Sequence, residues 1–272
     1  MLTRAITGVF FIAVLISALL FGAYSFSIFF ALVGLGALYE FYGLIAADGS
    51  RPNVFLGMLC AVVLSTSVIC YLLGYAPIKV LTLCIPLVAL IFIVGLFGKR
   101  AAAFVDLGYS LLGIVYACVP FLFFIALGFL GAAGQGISSY NYYIPMGFLI
   151  MLWSNDTGAY LSGRLLGRRK LFERISPNKT WEGFFGGVML AVLVSFALFH
   201  FFGTLPMALW VLMAVVIGVF GTLGDLVESM LKRSLGVKDS GRILPGHGGF
   251  LDRFDGLLIG APLVYVLLLM CI

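Results

Sequence analysis

Nine apolar runs, at positions 5–22, 24–47, 54–74, 76–98, 104–130, 142–160, 183–202, 206–227 and 257–272, occupy most of this 272-residue chain. About 20 apolar residues are needed for a helix to cross a hydrocarbon layer of about 30 Å. The runs therefore predict helices that lie in lipid. The last is short for a span, and the runs at 24–47 and 104–130 are long enough to tilt or break. Charged residues supply 10% of the chain, against about 25% in an ordinary soluble domain. So few charges cannot cover a water-facing surface. The apolar character persists to residue 272, so a cleaved N-terminal signal would not account for it. The expected fold class is all-α, a polytopic integral membrane protein with about nine transmembrane helices.

Basic residues mark the side of a membrane protein that stays in the cytoplasm. With a cytoplasmic N-terminus and nine spans, the inside segments hold Arg4, Arg51, Lys99, Arg100 and every basic residue of 161–182 and 228–256. That is 15 of the 16 lysines and arginines, with Lys79 alone outside. Eight or ten spans would scatter these charges over both sides. The net charge of +5 thus reports orientation in a cell inner (plasma) membrane and no affinity for nucleic acid. Cys60, Cys70, Cys84, Cys118 and Cys271 all lie in apolar runs without a CxxC pair, which argues against a metal site or a disulfide framework.

Charge is concentrated in the second half. The first 150 residues hold 8 of 27 charged residues, whereas 153–182 hold 9 and 225–255 hold 10. Orientation alone needs no acids, yet Asp156, Asp225, Glu228, Asp239, Asp252 and Asp255 sit in or beside these segments. Carboxylates beside spans are costly and mark function. In the nine-span arrangement Asp156, Asp225, Asp252 and Asp255 all fall near the cytoplasmic face, which suggests one site. Residues 1–141 are expected to form about five N-terminal spans and 142–272 a catalytic region. Asp225, Glu228, Ser229, Lys232 and Arg233 share one face if their helix continues into water. The bland alternative for Glu228 and Lys232 is an i,i+4 ion pair. Pro245-Gly246-His247-Gly248-Gly249, near Lys238 and Arg242, reads as a phosphate-handling loop, because glycines free the backbone to turn its N–H groups toward an anion. Ser176-Pro-Asn-Lys-Thr-Trp-Glu-Gly183 reads as a turn entering a helix, with Ser176 or Thr180 as the N-cap and Lys179 near a phosphate. Small residues such as Gly183, Gly187, Gly218, Gly221 and Gly224 suit close helix packing.

The run Ser229-Met-Leu-Lys-Arg-Ser-Leu-Gly-Val-Lys-Asp-Ser-Gly, followed by Leu244-Pro-Gly-His-Gly-Gly-Phe-Leu-Asp-Arg-Phe-Asp255, resembles the signature of the phosphatidate cytidylyltransferases, the CDP-diacylglycerol synthases. Asn155-Asp-Thr-Gly-Ala-Tyr160, Ser176–Gly183 and Gly224-Asp-Leu-Val-Glu-Ser229 fit the same family. The resemblance is close over the C-terminal 120 residues and slight before them. It implies transfer of the cytidylyl group of CTP to phosphatidate, giving CDP-diacylglycerol and pyrophosphate for phospholipid biosynthesis. It also implies Mg²⁺ dependence, with a second metal or a monovalent ion left open, and a homodimer of nine-span subunits. By this resemblance Asp225 and Asp252 bind the metal, with Asp156 and Asp255 beside them.

The chemistry sharpens those roles. Phosphatidate presents a phosphate monoester that is mostly dianionic at pH 7, so it attacks without a general base. The carboxylates are therefore expected to hold metal, and the cations to offset repulsion between two polyanions. Lys232, Arg233, Lys238, Asp239 and His247 are the further catalytic candidates. Lys179, Thr180, Ser229, Gly246, Gly248, Gly249 and Arg253, together with Asp156, are expected to contact substrate, without assignment between CTP and lipid. Two rivals exist: a transporter, since intramembrane acids often mark ion paths, and another CTP-using membrane enzyme such as a polyprenol kinase or an ether-lipid synthase. The gathering of acids at one face disfavours the first, and the complete signature disfavours the second.

Overall fold

The computed structural model describes residues 2–98, 100–130, 137–241 and 248–272, with side chains from Gly8 onward except that of Ser138. Among the described residues, nine long helices account for the nine apolar runs. Seven are long and apolar enough to cross a membrane. They fall into two compact units, one of residues 1–140 with 239–253, the other of 141–238 with 254–272.

The first unit is built around its second helix. Helix α1 (Leu2–Leu20) leads through Gly22, at φ 110°, into α2 (Ala23–Ala47). Helix α2 buries Phe26, Phe30, Leu38, Phe41 and Tyr42 almost completely, because α1, α3 and α5 all pack on it. Helix α3 (Val54–Leu72) is capped by Asn53, whose side chain accepts from Leu56 N–H at 3.0 Å. Helix α4 (Ile78–Leu96) opens in a tighter 3₁₀ turn through Leu83. Helix α5 (Ala103–Leu127) widens to π-type turns over Ile114–Cys118. Pro120 lies two residues beyond and has no N–H for the α-helical ladder, a physical cause for that widening. Phe26, Phe30 and Phe124 form an aromatic cluster, with Phe30 and Phe124 centroids 4.7 Å apart.

The second unit holds α6 (Tyr143–Leu166), an antiparallel hairpin of β1 (Lys170–Phe172) and β2 (Ser176–Thr180), α7 (Trp181–Phe202) and α8 (Met207–Ser234). Helix α9 (Leu251–Cys271) passes from one unit to the other at Phe254, whose φ of −123° and ψ of 15° are not helical. Helix α6 is the least apolar of the nine and is not among the seven, since Ser154, Asn155, Asp156 and Thr157 occupy its middle. Glycines bring its backbone against α7. A β-carbon on Gly158 would lie 2.8 Å from Gly186 O, and one on Gly187 would lie 2.7 Å from Asn155 O. Gly183 meets Ala159 O in the same way, and Gly224 meets Asp255 O. This is the close approach expected of small residues at a helix seam.

The elements differ from the expected runs chiefly at their polar ends. Helix α8 continues to Ser234, seven residues past the apolar run ending at 227, and α9 begins six residues before 257. Helical hydrogen bonding does not stop where hydropathy does. The hairpin is the one departure from an all-helical chain among the described residues.

Candidate active site

A cavity of about 620 Å³ opens in the second unit, lined by Asn155, Asp156, Tyr160 and Arg164 of α6, Asn178, Lys179 and Thr180 of β2, and Thr222 and Asp225 of α8. Its size suits a mid-sized ligand. The walls are assembled by local rules. Thr180 ends β2 in extended backbone and caps α7, its hydroxyl accepting from Gly183 N–H at 3.1 Å. That cap sets where strand becomes helix, and so where the preceding residue, Lys179, projects.

Lys179 Nζ lies 2.6 Å from Asp225 Oδ2 and donates to Thr222 O at 3.4 Å. Ser229, one turn after Asp225, donates its hydroxyl to Asp225 Oδ1 at 3.2 Å. Asn155 is buried beside them and donates from Nδ2 to Thr222 Oγ1 at 3.4 Å. Asp156 feels both the like charge of Asp225 and the opposite charge of Lys179. Asp255, whose Oδ1 accepts from Gly256 N–H at 2.6 Å, feels Asp225, Asp156 and Glu228. Lys179 thus sits beside carboxylates at the edge of the cavity.

The continuation of α8 places Asp225, Glu228, Ser229, Lys232 and Arg233 on one helical face, as the spacing predicts. Glu228 is 1% exposed and pairs with Lys232, Oε2 to Nζ, at 2.6 Å, the ion pair weighed as the bland alternative. Arg233 is exposed and donates to Val237 O at 3.3 Å. Lys238 and Asp239 are exposed beyond the helix end.

Asp252, Arg253, Gly248 and Gly249 belong to the first unit. Asp252 Oδ2 accepts from Ser240 N–H, Ser240 Oγ and Gly249 N–H, each at 2.9 Å. Gly248 takes φ +80°, and a β-carbon there would lie 2.5 Å from Asp252 Oδ2. The left-handed backbone expected of this loop is therefore present, and only glycine fits. Arg253 is exposed. Gly246, His247 and Arg242 lie outside the described residues.

Two buried acids in apolar runs, Glu40 and Asp106, went unread in the sequence. Glu40, inside the 24–47 run, is 6% exposed and accepts from Leu251 N–H at 3.1 Å. The signal was a lone carboxylate in an apolar run, which is costly enough to require a reason.

The donor set suits a hard cation, since Mg²⁺ takes oxygen ligands. Among the described residues no three His, Cys, Asp or Glu side chains converge to hold an ion by themselves. Mg²⁺ is usually bound through one or two carboxylates, with waters and substrate phosphates completing the octahedron. The carboxylates of this cavity fit an ion that arrives with a nucleotide.

The chain matches the model of the Cytidylyltransferase family over residues 2–271. A Staphylococcus epidermidis protein named phosphatidate cytidylyltransferase is 45% identical over 188 residues, 67% of this chain and 68% of the relative. The Staphylococcus aureus protein of that name is 44% identical over 188 residues, with the same coverage. The Staphylococcus haemolyticus one is 35% identical over 275 residues, 99% of both chains.

Proposed function

The chain belongs to the Cytidylyltransferase family, and we propose that it transfers the cytidylyl group of CTP to phosphatidate. A phosphate oxygen of the lipid attacks the α-phosphorus of CTP, the bond to the β-phosphate breaks, and pyrophosphate leaves. No proton has to be removed from the dianionic nucleophile, so the carboxylates of the cavity are left to hold metal and Lys179 to meet a phosphate. The observation that carries this reading is the Lys179–Asp225 pair at the edge of that cavity.

In this proposal Asp225, with Asp156 and Asp255, holds Mg²⁺, and the family resemblance gives the same role to Asp252. When bound, the ion offsets the charge of the phosphates and of the departing pyrophosphate. Lys179 pairs with Asp225 and would face a phosphate if Mg²⁺ were held by the carboxylates. Thr180 holds Lys179 in register through the cap. Ser229 orients the Asp225 carboxylate. Lys232 is paired with Glu228, and the exposed Arg233 presents positive charge at the end of α8, where CTP would arrive.

The proposal extends to nine spans, a cytoplasmic N-terminus and active site, residence in the plasma membrane and a homodimeric assembly. The near-exclusive placement of basic residues on one side of the nine-span arrangement supports the orientation. Incubation of the purified protein with labelled CTP, phosphatidate and Mg²⁺ tests the reaction. Thin-layer separation is expected to show label from the α-phosphate in a CDP-lipid. Label from the γ-phosphate in a lipid phosphate would instead identify a lipid kinase.

A further inference from the structure

A carboxylate that is 6% exposed inside a helix of a membrane protein carries a desolvation cost that hydrogen bonds must offset. Glu40 meets that cost from a distant part of the chain. Its Oε2 accepts from Leu251 N–H, with Phe250 N–H and the Ser240 hydroxyl also facing it. The fit is steric as well. A β-carbon on Gly241 would lie 2.7 Å from Glu40 Oε1, and one on Gly249 would collide with Oε2 and with Ser240 Oγ. One turn earlier on α2, a β-carbon on Gly36 would lie 2.7 Å from the Phe250 ring. Positions 36 and 40 lie on the same helical face, so this face of α2 is shaped to receive the turn formed by residues 249–251.

The same turn carries Asp252. Its Oδ2 accepts from Ser240 N–H, Ser240 Oγ and Gly249 N–H. Glu40 therefore grips Ser240, Gly241, Gly249 and Leu251, and two of these four hold the Asp252 carboxylate. We propose that Glu40 is a positioning residue for the cytidylyl transfer, holding the backbone on either side of the signature loop so that the Asp252 carboxylate is fixed in place. The inference rests on the reading of Asp252 as part of the catalytic machinery. Glu40 itself touches neither substrate nor metal in this account.

The test compares Glu40→Ala, Glu40→Gln and Asp225→Asn in the purified full-length protein. Glu40→Ala is expected to lower kcat at saturating substrates on the order of 100-fold, the usual cost of misplacing a reacting group by about 1 Å. The Mg²⁺ concentration for half activity should rise, while KM for phosphatidate changes little. Glu40→Gln keeps the shape and one acceptor oxygen for Leu251 N–H, and should recover the rate to within about tenfold of the parent. A readout independent of activity is amide exchange by mass spectrometry without metal or CTP. In Glu40→Ala, peptides covering 248–254 should exchange faster while those of α6 and α7 do not change. Unchanged exchange at 248–254, or kcat per folded molecule equal to the parent, overturns the inference. If Glu40→Ala cannot be purified folded, Glu40→Gln with an unaltered Mg²⁺ requirement and unaltered exchange overturns it as well. Failure of the functional reading looks different: Asp225→Asn would retain full rate, or the parent would form no CDP-lipid, whatever the exchange at 248–254.

Discussion

The ammonium of Lys179 sits 2.6 Å from Asp225 Oδ2, while the hydroxyl of Ser229 donates to the other oxygen of the same carboxylate at 3.2 Å. Both oxygens of Asp225 are thus engaged. A carboxylate held in this way is oriented and charge-compensated by its own neighbours. Were Mg²⁺ bound in the proposed way, Asp225 would be one of the residues holding it, and the Lys179 ammonium would be free to meet a phosphate.

Asp225→Asn removes the charge and keeps the shape. Turnover is expected to fall by roughly 10³-fold or more, in the range seen when a group that stabilises transition-state charge is lost. The protein should still insert and fold. Rates at saturating Mg²⁺ close to the parent would reject the metal assignment.

Lys179→Met separates two roles of the same side chain. With the ammonium gone, Mn²⁺ used as a paramagnetic stand-in for Mg²⁺ should bind the substrate-free protein more tightly, because nothing competes for Asp225. Turnover should nevertheless fall by about 10²-fold, since a cation facing the phosphates has been lost. Weaker Mn²⁺ binding in this variant would show that Lys179 helps to build the ion site and does not compete with it.

Much of this arrangement was legible in the sequence. Among the described residues the nine apolar runs correspond to nine helices, because hydropathy is a property of each residue and needs no partner. The shared face of Asp225, Ser229 and Lys232 followed from helical spacing, and local hydrogen-bonding chemistry narrowed the cap to Ser176 or Thr180, of which Thr180 holds it. What escaped depends on distant partners. Glu40 meets Gly241, Gly249 and Leu251 some 200 residues downstream, and no local pattern announces that meeting. The hairpin at 170–180 escaped for another reason. Its strands are three and five residues long and mostly polar, too short for alternation to register.

The glycine seam between α6 and α7 makes a stability test possible away from the charges. Gly187→Ala places a methyl group 2.7 Å from both the backbone oxygen and the side-chain oxygen of Asn155. The backbone oxygen cannot move aside without shifting α6. Overpacking of this kind costs about 1–3 kcal/mol, a drop of roughly 2–10 °C in melting temperature for a chain of this size. Gly43→Ala is the control, because a β-carbon there meets nothing within 4 Å. Equal melting temperatures for both variants would contradict the close packing of this seam.

Orientation is tested at Lys79, the one basic residue assigned to the outer side, against Arg174, an exposed residue between the hairpin strands. Lys79 lies in the 3₁₀ turn that opens α4, where Thr82 Oγ1 donates to its carbonyl oxygen at 2.7 Å. Its side chain supports no ion pair among the described residues. Lys79→Glu is therefore expected to leave turnover nearly unchanged, and a large loss would count against the assigned topology. In a background without the five native cysteines, a membrane-impermeant maleimide added to intact cells should label Lys79→Cys and spare Arg174→Cys. After the membrane is permeabilised, both should react. Labelling of Arg174→Cys in intact cells would put the hairpin, and the cavity beside it, on the outer face. CTP is made in the cytoplasm, so that result would reject the proposed reaction together with the orientation.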